Sequence, residues 1–123
     1  MKTVAVIGAS KDRAKFGNKA IRAYQKLGWT VYPINPKEPE IEGLKTYASI
    51  LDTPERPEMV SIYVAPPVLL KLLPDFAKRG CDELWLNPGT ESDEVLALAE
   101  SLGLKPIQAC SLIAFGMSPS QFV

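Results

Sequence analysis

Thr3-Val4-Ala5-Val6-Ile7-Gly8-Ala9-Ser10, taken with Thr30-Val31-Tyr32-Pro33-Ile34-Asn35-Pro36-Lys37, decides the fold. The first stretch is an apolar strand that breaks at glycine ahead of a helical pattern. Such a break leaves backbone N–H groups facing whatever lies above the sheet, a setting suited to phosphate. The second stretch is another strand, and the residues after it select among nucleotides. A carboxylate there would clamp the ribose hydroxyls of NAD, whereas this chain supplies Lys37, which suits a phosphorylated ribose.

Outward from these two strands, apolar runs at 59–64 and 84–86, and a shorter one near 105–107, alternate with helical patterns. The alternation predicts βαβ units in an α/β fold: a Rossmann-like, doubly wound, mainly parallel five-stranded sheet in one domain over residues 1–123. The simplest strand order is 3-2-1-4-5, with a switch point between strands one and four and ligands above the carboxyl ends. One helix is expected over 18–27, with Ile21, Tyr24 and Leu27 on one face and Gly28 at its end. A second runs from Pro67 toward Arg79 and stops at Gly80, with Pro74 kinking it or delaying its start. A third is capped by Thr90 or Ser92, carries acids at its positive end, turns Val95, Leu98 and Leu102 to the sheet, and closes at Gly103. The proline- and acid-rich connection 38–57 is expected to hold a short extended piece at 44–47 and a helical turn at 48–51.

At 123 residues and 46% hydrophobic content, the chain supports one core and leaves no room for a second catalytic domain. Fourteen basic and fourteen acidic residues cancel, so the balance points to neither nucleic acid nor an anionic membrane as partner. Met1-Lys2 leads straight into the first strand and no run is long enough to span a bilayer, which implies a cytoplasmic protein. Cys81 and Cys110 form no CxxC pair and are expected as free buried thiols, and Trp85 is expected in the core. The chain has no histidine, the commonest general base and metal ligand, so no catalytic residue and no metal site are predicted. Without an imidazole to activate it, Cys110 is not read as a nucleophile.

The candidate site gathers from four loops. Gly8-Ala9-Ser10 is not a phosphate-binding loop of the ATPase kind, because Arg13-Ala14-Lys15 stands where Gly-Lys-Ser/Thr would be, nor does it carry GxGxxG. Gly8 alone serves equally well as a plain strand-to-helix turn. Between it and Phe16-Gly17 lie Lys11, Arg13 and Lys15 against Asp12; singly each fits a solvated loop, and together they favour an anion near the next helix start. In Asn35-Pro36-Lys37 the proline fixes the exit of strand two and aims Lys37 at the ribose region, although Asn-Pro also starts ordinary turns. Ala65-Pro66-Pro67-Val68 is either a rigid, donor-poor shelf for an adenine ring or simply a helix start. Asn87 and Gly89, in Asn87-Pro88-Gly89-Thr90, allow close backbone approach by a thin ligand arm or form only a tight turn.

In order, Val4 to Ser10, Phe16-Gly17-Asn18, Gly28 to Lys37, Ile41-Glu42-Gly43, Tyr47, Ser49, Val64 to Pro67, Gly80, Trp85 and Gly89 resemble the small bacterial and archaeal CoA-binding domain proteins. More remotely, they are similar to the nucleotide-binding domain of the succinyl-CoA synthetase alpha subunit and of ADP-forming acyl-CoA synthetases. The resemblance implies coenzyme A as ligand, with pyrophosphate at residues 8–17, the phosphorylated ribose at 35–37, adenine by 65–68, and pantetheine running past Gly89 toward Cys110. The chain departs from many relatives at Gln108-Ala109-Cys110, where they carry an acidic and a basic residue before the cysteine, and in its apolar tail 111–116. That tail could pack on the sheet, bury against another subunit, or reshape a pocket for an acyl group. The expected function is non-catalytic binding of CoA or a short acyl-CoA. The alternatives are an NAD(P)-binding oxidoreductase or nicotinamide redox sensor, and an interaction subunit that completes an acyl-CoA synthetase with a partner subunit. A homo-oligomer is compatible with each.

Overall fold

The computed structural model describes residues 2–123. In chain order its elements are β1 (Thr3–Ile7), α1 (Phe16–Lys26), β2 (Thr30–Ile34), a small hairpin of β3 (Glu40–Ile41) and β4 (Leu44–Lys45), β5 (Met59–Ile62), α2 (Pro66–Arg79), β6 (Glu83–Leu86), α3 (Asp93–Ser101), β7 (Pro106–Gln108) and α4 (Ser111–Ala114). Short 3-10 turns lie at Ile50–Asp52 and Pro119–Phe122. Five strands make one parallel sheet in the order β2-β1-β5-β6-β7.

The expected order 3-2-1-4-5 is therefore corrected: the third long strand, β5, crosses to the far side of β1, and β2 is left at the edge. Pro33 supplies the reason. A strand inside a sheet donates N–H groups to neighbours on both sides, and proline has none to give, so it belongs on an edge. By contrast all four residues of β5 are buried, which requires a neighbour on each side and cover on both faces. The outer edge of β2 is met by Tyr47, whose N–H donates to the Pro33 carbonyl (2.9 Å) and whose carbonyl accepts from Asn35 N–H (3.0 Å). The switch point thus falls between β1 and β5, rather than between the first and fourth strands.

Alternating side chains feed two cores. Ala5, Ile7, Ile34, Val60, Ile62 and Leu84 pack with Leu69, Leu73 and Phe76 of α2 and Val95 and Ala99 of α3. Val4, Val6, Val31, Met59 and the expected core residue Trp85 pack on the other face with Ala20, Ile21 and Tyr24 of α1 and with Leu112 and Phe122. The apolar tail therefore packs on the sheet: Phe115 meets Trp29 edge-on at 4.7 Å, and Arg22 donates to the Phe122 carbonyl at 2.6 Å.

Helix boundaries shift in two places. α1 starts two residues before the expected Asn18, so Phe16 and Gly17 are helical and the preceding loop is 8–15. α2 runs unbroken through Pro74, which lies on its exposed side, where water can reach the Leu70 carbonyl that lacks a proline N–H partner. It ends at Gly80, whose φ of +83° favours glycine. Ser92, not Thr90, caps α3, accepting from Val95 N–H at 3.1 Å. Both cysteines are free but only partly buried, and burial pushes the Cys81 thiol up to about 11. Among the described residues no helix is long and apolar enough to cross a membrane.

Candidate functional site

The close approach of β1, α1 and β5 shapes the ground above the switch point. A Cβ on Gly8 (φ +87°) would stand 2.6 Å from the Tyr63 carbonyl oxygen, and one on Gly17 would stand 2.2 Å from the Gly8 carbonyl oxygen. The first turn of α1 therefore lies directly on the strand exit. Lys15 begins this helix without a side-chain cap and no acid occupies its first turn; the Asn18 N–H donates to the Lys15 carbonyl (3.1 Å), which leaves the Phe16 and Gly17 N–H groups and the partial positive charge for an anion. Across the crevice α2 opens differently. Pro66 and Pro67 occupy its first positions and have no N–H to offer.

Asn18, which the sequence reading placed at the helix start and in the family pattern without giving it a role, holds this loop. It is fully buried, donates to the Ser10 carbonyl (2.9 Å) and Glu42 Oε2 (3.1 Å), and accepts from Arg22 Nε (2.8 Å). Ser10 Oγ accepts from Asp12 N–H at 3.1 Å and Asp12 Oδ1 from Ala14 N–H at 3.0 Å, which folds the loop back on itself.

Three adjoining hollows follow the crevice. The first, about 340 Å³, lies between the ends of β1 and β2 and the face of α2; Ile34, Ile50, Val64, Val68, Leu72 and Phe76 line it, with polar side chains only from Asn35, Ser49 and Asp75. The second, about 290 Å³, is bounded by Gly8, Lys15, Phe16 and Gly17 on the α1 side and by Tyr63, Val64, Ala65 and the turn Pro88-Gly89-Thr90 on the other. The third, about 220 Å³, shares Phe16, Tyr63 and Pro88 with the second and extends beneath Cys110 and Ile113.

The four loops expected to converge do meet here, yet their side chains take different parts. Gly8, Ala9, Asn35, Pro36 and Val68 line the first hollow, and Gly8, Lys15, Phe16, Gly17, Ala65 and Gly89 the second. Ser10, Lys11, Arg13, Lys37, Pro66 and Pro67 lie outside these linings. Lys11 pairs with Glu38 at 3.4 Å and Arg13 with Glu42 at 3.6 Å, both at exposed positions where such a pair contributes little. Lys15 and Lys37 are exposed and form no ion pair among the described residues. Asn35 acts as a brace: its Nδ2 donates to the Ala9 carbonyl (2.9 Å), and its Oδ1 accepts from Lys37 N–H (2.7 Å) and Glu38 N–H (3.0 Å).

Asn87 is likewise committed. Its Nδ2 donates to Ser61 Oγ (3.0 Å) and to the Ile62 carbonyl (2.9 Å), while its Oδ1 accepts from Ser111 N–H (2.9 Å) and Ser111 Oγ (2.9 Å). Tyr24 bridges the two serines, 2.9 Å from Ser61 Oγ and 2.6 Å from Ser111 Oγ. The only consistent direction is a closed ring, Asn87 to Ser61 to Tyr24 to Ser111 and back, each hydroxyl donating once. Burial raises the Tyr24 hydroxyl, and also that of Tyr63, so both stay protonated.

Leu72, Asp75 and Phe76 were not foreseen as lining, although with Val68 they recur at helical spacing on one face of α2. Ser49 and Ile50 come in because Tyr47 runs beside β2 and carries the next turn over its end.

The comparisons with known proteins fit this ground. The chain is 31% identical over 114 residues to acetate–CoA ligase [ADP-forming] I of Archaeoglobus fulgidus, 85% of this chain and 17% of that protein. It is 39% identical over 79 residues to acetate–CoA ligase [ADP-forming] of Methanocaldococcus jannaschii, 64% of this chain and 11% of that one. The chain thus matches only a small part of these ligases. Among solved structures, a conserved hypothetical protein of Pyrococcus furiosus superposes with a TM-score of 0.81 at 34% identity, covering 89% of this chain and 93% of that one. The acetyl-coenzyme A synthetase 1 of Ca. Korarchaeum cryptofilum, solved with phosphate and ADP, superposes with a TM-score of 0.78 at 30% identity over 88% of this chain and 25% of its own. The sequence profile described as CoA binding domain matches residues 2–116, and the chain belongs to that family.

Proposed function

We propose that this protein holds coenzyme A, or a short acyl-CoA, in the crevice above the sheet and does no chemistry on it. The observation that carries the reading is the neighbourhood of an apolar hollow and a donor-bearing one. The first suits adenine, with Asp75 and Ser49 in reach of its polar edge or of the ribose. The second suits a pyrophosphate, with the opening of α1 and Lys15 supplying positive charge. Lys37, free at the exit of β2, meets the ribose phosphate. The likeness to ADP-forming acetate–CoA ligases supports coenzyme A over other nucleotides. With no histidine in the chain, acid–base or phosphoryl-carrier chemistry lacks its usual group.

Calorimetric titration of protein stripped of co-purified ligand tests the reading. Coenzyme A binds saturably, NAD and NADP bind far more weakly, and Lys37→Glu weakens coenzyme A about ten-fold while leaving 3′-dephospho-CoA nearly unaffected. Tighter binding of NADP than of coenzyme A overturns the proposal. The likeness to the alpha subunit of acetate–CoA ligase II of Pyrococcus furiosus, 35% identical over 80 residues (63% of this chain, 17% of that subunit), favours a second reading in which the chain supplies a CoA site to a partner subunit. Purification from native extract distinguishes the two: a stable complex with an ATP-binding chain supports the second reading, and a homogeneous species of this chain alone removes it.

A further inference from the structure

The β3–β4 hairpin turns on two residues. Ile41 pairs with Leu44, and Glu42 and Gly43 between them have φ of +49° and +78°. Two positive angles in a two-residue hairpin loop define the turn that favours asparagine, aspartate or glycine at its first position. Glu42 is the only residue other than glycine with a positive φ among the described residues. The turn thus keeps a strained glutamate where asparagine would sit at ease.

Its contacts show what holds it there. Glu42 Oε2 accepts from Asn18 Nδ2 (3.1 Å) and the Glu42 carbonyl accepts from Gln25 Nε2 (3.2 Å), so the turn is seated on α1. The Asn18 amide also donates to the Ser10 carbonyl (2.9 Å), and its oxygen accepts from Arg22 Nε (2.8 Å). With acceptors on one side and a donor on the other, this amide has one orientation; reversed, it would set its oxygen against Glu42 and Ser10. Arg22 donates as well to the Arg13 carbonyl (2.8 Å), so loop 8–15 is held by its carbonyls at two points. A trans peptide points its N–H away from its C=O. Drawing the Ser10 carbonyl onto Asn18 therefore turns the Lys11 N–H away from the buried amide, and it has no acceptor among the described residues. Resting on the coenzyme A reading above, we infer that Glu42 is a positioning residue for the anion loop: through Asn18 it fixes the loop in the shape that presents backbone donors to a phosphate.

Glu42→Asn relieves the turn but is one methylene too short to keep the bond to Asn18. The stripped variant melts no lower than wild type, yet binds coenzyme A about ten-fold more weakly, the effect of losing one charge-assisted hydrogen bond. Binding of 3′-dephospho-CoA, which has the same pyrophosphate, weakens by the same factor. Glu42→Gln gives up the ion pair with Arg13 but keeps an oxygen for Asn18, and binds within about two-fold of wild type. The inference falls if Glu42→Asn binds as wild type does. It falls equally if that variant melts well below wild type, which would give Glu42 a part in the fold alone, or if Glu42→Gln is as weak, which would give the effect to Arg13. In each of these cases wild-type protein still binds coenzyme A and that reading stands. If wild type itself does not bind, the coenzyme A reading falls first and takes this inference with it.

Discussion

Gly17 shows how little room the site leaves. A methyl group there would sit 2.2 Å from the Gly8 carbonyl oxygen, so Gly17→Ala pushes α1 off the end of β1. The expected cost is about 1–3 kcal/mol of stability, the usual range for overpacking, together with loss of coenzyme A binding; urea unfolding and calorimetry check both. Wild-type affinity in a stable Gly17→Ala protein would show that the opening of α1 holds no ligand. The sequence placed this glycine at the end of the first loop and the start of the helix, but its contact with Gly8 appears only in the fold. The role of Asn18 beside it was not legible either. A fully buried amide looks like any polar helix residue until Ser10 and Glu42, which lie outside its helix, are seen around it.

Elements were read well wherever one face carried the periodicity. The strands, the helix stop at Gly80 and the acid-rich start of α3 follow from local patterning, and the structure has them with shifts of a residue or two. The strand order did not follow, because it depends on which side of β1 the chain crosses to after a long irregular connection. Even so, Pro33 was a local clue to the edge. The C-terminal segment was harder still: Ser111 matters because it closes a ring with residues from β5, from the end of β6 and from α1. Asn87→Ala opens that ring and leaves the Ile62 carbonyl and Ser111 N–H without their side-chain partner, at an expected cost of about 2–4 kcal/mol. A double-mutant cycle with Ser111→Ala checks the unit: strong non-additivity is expected, and simple addition of the two losses would show that the groups act separately.

At the scale of the whole molecule, the lack of histidine leaves no side chain with an ordinary titration between about pH 5 and 8. The alkaline side is different. The native state holds the Cys81 proton up to about 11, whereas the unfolded chain releases it near 9.0, so between these values the native state binds more protons. Stability is therefore complete below pH 9.0 and falls as pH rises toward about 11. Melting temperature measured across this range should decline, and Cys81→Val should delay the decline to the tyrosine region; an unchanged profile in the variant would assign the loss elsewhere. The fold and the family were legible at this scale because a strand–glycine–helix start and an Asn-Pro-Lys exit are contiguous in sequence. The division of the crevice into three hollows was not, since each is built from segments that only the sheet brings together.

The two prolines that open α2 give the crevice a handedness. On the reading proposed above, a phosphorylated guest would meet free backbone donors on one bank only, at the opening of α1, while the first turn of α2 would touch it through ring carbons.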